Sequence, residues 1–190
     1  MCENTEKKQG VFLILSKRRK KISNMTGDIE RLLDETGWQI LAALQEQARL
    51  SYSELGQRVG LSAPAVSERV RKLEEAGVIT GYHASINCAL VGLPLTAIIR
   101  MGLNPSQSSA RAIANLRKVP EVLECARVLG SDTLILKVGA SSIEHLERLI
   151  DQLLVYGPLT TSIVLSTPIQ RRVVTQAVIS LGSKRTAAAP

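Results

Sequence analysis

Residues 51–81 read SYSELGQRVGLSAPAVSERVRKLEEAGVITG, two short amphipathic helices meeting at a turn too tight for most domain cores. The first helix opens on a capping box, in which Ser51 can accept from a backbone N–H while Glu54, three residues on, reaches back to the cap. Gly60 supplies the turn, Ser62 is placed to cap the second helix, Pro64 falls in its first turn where a missing N–H costs little, and Gly77 stops it. On a helical wheel Val66, Val70 and Leu73 share one sector, while Ser67, Glu68, Arg71, Lys72 and Glu75 face the other way. This is the pattern of a helix-turn-helix, whose second helix enters the major groove of double-stranded DNA. Docked so, Pro64, Ser67, Glu68 and Arg71 meet base edges, Arg58, Arg69 and Lys72 meet phosphates, and Ser62 stands at the helix start. A plain helical hairpin with a solvated Glu68–Lys72 pair is the competing reading.

The longer stretch LLDETGWQILAALQEQARLSYSELGQRVGLSAPAVSERVRKLEEAGVITGYHA, from Leu32 to Ala84, resembles the DNA-binding half of the Lrp/AsnC (feast/famine) transcription regulators without a gap. One departure is Gly37, where the family usually has Asp. A glycine there is expected to weaken the first helix by ~1 kcal/mol against alanine and touches no base-reading position.

Composition narrows the partners. A chain of 190 residues suits one or two domains, and 45% hydrophobic content can fill two small cores. Aromatic residues make up only 3%, which argues against recognition by stacking on unpaired bases and for duplex DNA. Of the net +7, a share of +5 lies in residues 1–24, where Lys7, Lys8, Lys17, Arg18, Arg19, Lys20 and Lys21 oppose Glu3 and Glu6. Residues 28–83 carry six Lys/Arg against nine Asp/Glu, a net of −3, so affinity for DNA has to come from locally placed arginines and from several sites at once.

The apolar run Val11–Leu15 is too short for a secretory signal and precedes the basic cluster instead of following it. Two readings stay open for this stretch: a disordered basic arm along phosphates, or a natural start at Met25, from which MTGDIERLLDETG runs straight into the family-like domain. Cys2, Cys88 and Cys125 are odd in number without CxxC spacing, and with His83 and His145 they make no zinc set. The chain reads as a reduced cytoplasmic protein with no metal, no cofactor and no membrane partner. Cys125 reads as a small core residue, His145 as part of a solvated face beside Glu144 and Glu147, and Trp38 as a packing anchor.

After VITGYHASIN, which has the look of a wing and a linker strand, helical periodicity gives way to alternating strands and helices. Leu95–Leu103 is a strand, Ser106–Lys118 a helix ended by Pro120, and Val122–Leu129 and Thr133–Val138 are strands joined at Gly130-Ser131. A capping box from Ser141 to Glu144 opens a helix through Tyr156, and Thr160–Ser166 is the fourth strand. The fold class is α+β: a winged helix-turn-helix followed by a ferredoxin-like βαββαβ domain. The expected boundaries are a basic, disordered extension over 1–27, the DNA-binding domain over 28–83, a linker strand over 84–93, the ferredoxin-like domain over 94–168 and a tail over 169–190. In LTAIIRMGL both strand faces read as largely apolar, and LILKV and SIVLS are similar, so the sheet face away from the helices is expected to meet another subunit. The other candidate cover for it is the segment QRRVVTQAVISL, residues 170–181.

This half resembles the effector and oligomerisation domain of the same regulators. The resemblance implies a homo-oligomer, a dimer built sheet to sheet and in some members an octamer, with an amino acid or related metabolite bound between dimers. It implies an effector site at Gly130, Ser131, Asp132 and Thr133, with backbone N–H groups for a carboxylate and the Asp for an ammonium, and nearby hydroxyls from Thr160, Thr161 and Ser162. Here Ser131 separates the family's adjoining Gly and Asp, and a simple hairpin turn is the alternative. No nucleophile–base pair, phosphate loop or carboxylate dyad stands at recognisable spacing, so the chain is expected not to be an enzyme. Two rival functions remain: an architectural DNA-wrapping protein of little specificity, and an enzyme like the siroheme decarboxylases, which share this organisation and for which His83, Arg100 and Arg127 are the only obvious candidates here.

Overall fold

The computed structural model describes residues 26–179, and the expectations for the basic extension and for a start at Met25 lie, but for its last two residues, outside them. The described residues form two compact units, one ending at His83 and joined by residues 171–179, the other running from Ala84 to Gln170.

The first unit is helical: α1 (Thr26–Leu32), α2 (Glu35–Glu46), α3 (Tyr52–Val59) and α4 (Ala63–Glu75). Asp34 caps α2, its carboxylate accepting from the Gly37 N–H at 2.7 Å. The Leu32 carbonyl lies 1.9 Å from where a Cβ on residue 37 would stand, so this backbone leaves room for glycine alone, whatever its cost in helix propensity. The expected box on α3 is present in both directions, from the Glu54 N–H to Ser51 Oγ at 3.2 Å and from the Ser51 N–H to Glu54 Oε2 at 2.8 Å. Gly60 and Gly77 both take the left-handed conformation at φ 70°, and after α4 the Gly77 and Val78 N–H groups return to the Glu74 and Leu73 carbonyls. Ser62 occupies the N-cap position of α4 but makes no side-chain cap bond, contrary to expectation. Ile40, Leu41, Ala43, Leu44, Leu55, Val66, Val70 and Leu73 form the core, with Trp38 packed against it. Apolar positions from three helices thus meet on one seam and fix the angle of α4.

Residues 80–87 belong to no ladder, and a 3₁₀ turn follows at Cys88–Val91. The expected linker strand therefore finds no partner among the described residues of this one chain, and its backbone is left exposed. The second unit runs β1 (Leu95–Met101), α5 (Ser109–Leu116), β2 (Val122–Arg127), β3 (Leu134–Ala140), α6 (Ile143–Leu153) and β4 (Leu159–Ile163). All neighbours are antiparallel in the order β2-β3-β1-β4, the ferredoxin-like arrangement. Ala97, Ile99, Met101, Leu134, Leu136 and Val138 alternate onto one face and bury against Leu116 of α5 and Leu146, Leu149 and Leu153 of α6. The cap of α6 is Ser142, one residue later than expected, and a 3₁₀ turn at Leu154–Tyr156 ends the helix early.

The open face is less apolar than both-faces-apolar strands would make it. Register puts Thr96, Ile98 and Arg100 of β1, Ile135 and Lys137 of β3, Glu124 and Ala126 of β2, and Thr160 and Ser162 of β4 there. Six of these nine residues are polar, and Arg100 and Lys137 stand beside Ile98 and Ile135 on the two central strands. Residues 171–179 belong to the helical unit. No helix among the described residues is long and apolar enough to cross a membrane.

Candidate DNA interface and effector turn

The sequence of α4 separates its two faces cleanly. Val66, Val70 and Leu73 are buried to within 1% exposure, while Pro64, Glu68, Arg71 and Lys72 are exposed and Ser67 is half-buried. The outward charges are tied to one another. Arg71 donates from Nε and Nη2 to the two oxygens of Glu68 at 2.9 and 2.7 Å, and from Nη1 to Glu75; Lys72 Nζ stands 3.4 Å from Glu68. Arg71, above all, holds the Glu68 carboxyl down to about 2, and the two carboxylates raise the guanidinium's own pKa. Around neutral pH this face carries fixed charges of both signs, arranged in pairs that water screens and a ligand can exchange.

Arg69 is placed differently from expectation. Its guanidinium makes a two-pronged pair with Asp34, at 2.8 and 3.0 Å, which ties α4 to the start of α2. A phosphate contact would have to exchange with that pair, which acts as a clamp between α4 and the start of α2. Arg58 is exposed on α3 with only a long bond, 3.4 Å, to Gln47. Sequence reasoning missed the clamp, although Asp34 before an apolar-periodic run was a visible N-cap. It also missed Tyr82, which donates to Glu74 Oε1 at 2.9 Å and whose hydroxyl is pushed up to about 12 by burial and by that carboxylate.

The second candidate site lies at one end of the sheet. Gly130, Ser131 and Asp132 form the β2–β3 turn, closed by the Val128 N–H on the Thr133 carbonyl at 3.0 Å, and the Thr133 N–H bonds the Met101 carbonyl at 2.9 Å. Met101 pairs with Leu134 on one side and Leu159 on the other, so the turn and the start of β4 flank the same end of β1. Asp132 is half-buried and has no bonding partner among the described residues. Of the three hydroxyl residues, Thr160 and Ser162 share the open face, while Thr161 pairs with Ile99 on the helix side, its Oγ1 buried without a partner. The structure brings two of the three together and turns the third away.

Several single residues depart from expectation. Cys125 is exposed on the edge strand instead of in the core, with its thiol pushed up by partial burial. His145 is half-buried between Ser141 Oγ at 3.0 Å and Glu121 Oε1 at 3.1 Å; this bond helps, after a backbone N–H, to lower the Glu121 carboxyl. Arg100 and Arg127 pair with Ile135 and Leu134, which point to opposite faces, so they do not converge on one site. Among the described residues no group of three or more His, Cys, Asp or Glu could hold a metal ion.

Comparison with known proteins identifies both units. Residues 33–80 match the winged helix-turn-helix DNA-binding family, and residues 96–174 match the Lrp/AsnC ligand binding domain. The chain belongs to the Lrp/AsnC family. It is 42% identical over 135 residues to the uncharacterized HTH-type transcriptional regulator YezC of Bacillus subtilis, covering 71% of this chain and 95% of the relative. Among solved structures, the transcriptional regulator NMB0573 of Neisseria meningitidis, in complex with L-Met, superposes with a TM-score of 0.72 at 30% identity, over 77% of this chain and 99% of the other. The feast or famine regulatory protein Rv3291c of M. tuberculosis, complexed with L-methionine, gives 0.69 at 34% identity, over 75% and 99%. These relatives are regulatory proteins, and the α+β architecture expected from the sequence is theirs.

Proposed function

We propose that this chain is a sequence-specific transcriptional regulator that binds duplex DNA in the cytoplasm as a homo-oligomer and responds to an amino acid or related metabolite. The observation that carries the reading is α4, whose one face is wholly buried while the other offers Pro64, Glu68, Arg71 and Lys72 at the groove-facing positions of a helix-turn-helix. Ser62 and Ser67 lie on the N-terminal half of that helix, Arg71 exchanges Glu68 and Glu75 for a base edge, and Lys72 and Arg58 serve phosphates. Arg69 positions the helix through Asp34. The test is the affinity of the wild type and of Arg71→Ala for operator and random duplex at one salt concentration. The substitution is expected to cost ~1–3 kcal/mol on operator only. Equal losses on both would demote Arg71 to a phosphate contact, and a wild-type ratio near one would favour an architectural role.

The effector reading rests on the turn Gly130–Thr133, with the unpartnered Asp132 for an ammonium, backbone N–H groups for a carboxylate, and the hydroxyls of Thr160 and Ser162 on the open face of β4. The methionine complexes of two relatives support an amino-acid ligand. In calorimetry Asp132→Ala is expected to abolish amino-acid binding while leaving DNA affinity without effector intact; an unchanged ligand affinity would remove the turn from the site. The open sheet face, where Ile98 and Ile135 alternate with Arg100 and Lys137 on the two central strands and Ala126, Glu124, Thr160 and Ser162 lie on the outer ones, has the mixed apolar and polar character of a subunit interface. A two-fold copy placed there would present two α4 helices to a palindromic operator.

A further inference from the structure

The helical unit contains a groove of about 360 Å³ that neither α4 nor the effector turn uses. Its floor is apolar, made by Trp38, Leu41 and Leu44 of α2, and one wall is the chain's own segment 171–174. Gln45 fastens that wall with both ends of its carboxamide: the Val174 N–H donates to Oε1 at 2.9 Å, and Nε2 donates to the Val174 carbonyl at 3.1 Å. Three residues earlier, Arg171 stands at the border of the groove, exposed and without a hydrogen-bond or ion-pair partner among the described residues. Neither Asp nor Glu lines the groove, and its other side-chain base is His83. Arg171 is therefore the one Lys or Arg, and no carboxylate opposes it in the lining.

We propose that this groove is a binding site for a small apolar monocarboxylate that lacks an ammonium group, such as a branched 2-oxo acid. The carboxylate pairs with Arg171 and the hydrocarbon lies against Trp38, Leu41 and Leu44. The volume sits at the small end of the range of ligand pockets, about 300–1,000 Å³, which suits one side chain and a carboxyl group. An amino acid of the same shape would bring an ammonium to a place with no acid to receive it, beside a guanidinium that repels it. The effector turn is the opposite case, because Asp132 is there to take an ammonium. The two sites sort acids by the presence of the amine, and the groove stands without any part of the effector reading.

The matched probes are 4-methyl-2-oxopentanoate and leucine, which share a carbon skeleton and a carboxylate and differ in the oxo and ammonium groups. Trp38 is the chain's one tryptophan, so its emission in the full-length protein reports the groove, with calorimetry in parallel. Expected are a saturable response to the oxo acid, affinity for leucine weaker by about tenfold or more in that signal, and a similar loss in Arg171→Ala that Arg171→Lys partly restores. Asp132→Ala should leave the oxo-acid response unchanged, which separates this site from the effector turn. Arg171 is exposed, and a melting curve superposable on wild type would show that its replacement leaves the fold intact. Equal binding of the two probes, no saturable response by either method, or a response indifferent to Arg171→Ala would overturn the proposal. So would Trp38 emission that changes with protein concentration and ignores both acids, since a second copy would then fill the groove.

Discussion

The outward face of α4 and the open face of the sheet differ in how their polar groups are satisfied. On α4, Arg71 and Lys72 find Glu68 and Glu75 within four residues, all exposed. On the sheet, Ile98 and Ile135 lie beside Arg100 and Lys137 on the two central strands, and one cross-strand ion pair, Lys137–Glu124 at 3.0 Å, reaches the edge strand. Exposed ion pairs within a helix are worth only about 0.3–0.5 kcal/mol, so Arg71 can leave its carboxylates for a base edge at small cost. Apolar side chains have no comparable exchange with water and improve only by being covered.

The largest effects should come from the cores behind those faces. Leu55 and Leu136 are each fully buried, one in each unit, and truncation of either to alanine should cost ~2–5 kcal/mol. Because the two cores share no residue, Leu55→Ala should lower the melting of the helical unit and Leu136→Ala that of the sheet unit. Calorimetric scans would check this, and a single transition that both substitutions shift alike would mean that the two faces are not independent designs.

Next comes the contrast between neighbouring arginines of α4. Arg71→Ala should leave thermal stability almost unchanged and cost ~1–3 kcal/mol in operator binding, as an outward group must. Arg69→Ala should cost up to ~1 kcal/mol of stability through the lost Asp34 pair and weaken operator and random DNA equally. Melting curves and binding on the same proteins would decide, and an operator-specific loss in Arg69→Ala would return it to the reading face.

That contrast marks where the sequence was legible and where it was not. Elements set by local signals were readable: the Ser51–Glu54 box, the left-handed stops at Gly60 and Gly77, and the alternation that orders the four strands all lie within a few residues of what they determine. Groups whose partners are distant in sequence were not. The Arg69–Asp34 pair spans 35 residues and the Gln45–Val174 pair 129, and no periodicity encodes either. The open sheet face was misjudged for a related reason. Counting apolar residues per strand ignores register, and only register shows that Arg100, Lys137, Thr160 and Ser162 share that face. Of the three candidate hydroxyl residues on β4, the sequence could not show that Thr161 turns inward while Thr160 and Ser162 face outward.

A smaller effect tests the local signals themselves. Ser51→Ala removes the acceptor for the Glu54 N–H and one partner of Glu54, whose carboxyl the Ser51 hydroxyl holds below its usual range. The expected loss is ~0.5–2 kcal/mol in the helical transition only. Ser62→Ala should cost less, because Ser62 makes no side-chain cap bond. Equal losses at the two serines would mean that position, and not the bonds seen here, determines the contribution.

The smallest expected effect concerns Asp34, the partner of Arg69 on α4. Hydrogen bonding from Arg69, then from the Gly37 N–H, holds this carboxyl below the ordinary carboxylate range. A carboxyl whose folded pKa is depressed contributes stability that is fully present above the unfolded value, about 3.9, and is lost as pH falls through the lower folded value. Side-chain exposures of 34% for Arg69 and 43% for Asp34 keep that contribution below ~1 kcal/mol. Asp34→Asn isolates it, because asparagine can still cap α2 but cannot pair as an ion. The stability gap between wild type and Asp34→Asn should therefore be constant from pH 7 to about 5 and close as pH falls below about 4, while the gap for Leu136→Ala stays flat throughout. A gap for Asp34→Asn that is equally flat would show that Arg69 is not held through charge, and the distinction drawn between the clamp at Arg69 and the exchangeable pairs at Arg71 would lose its electrostatic basis.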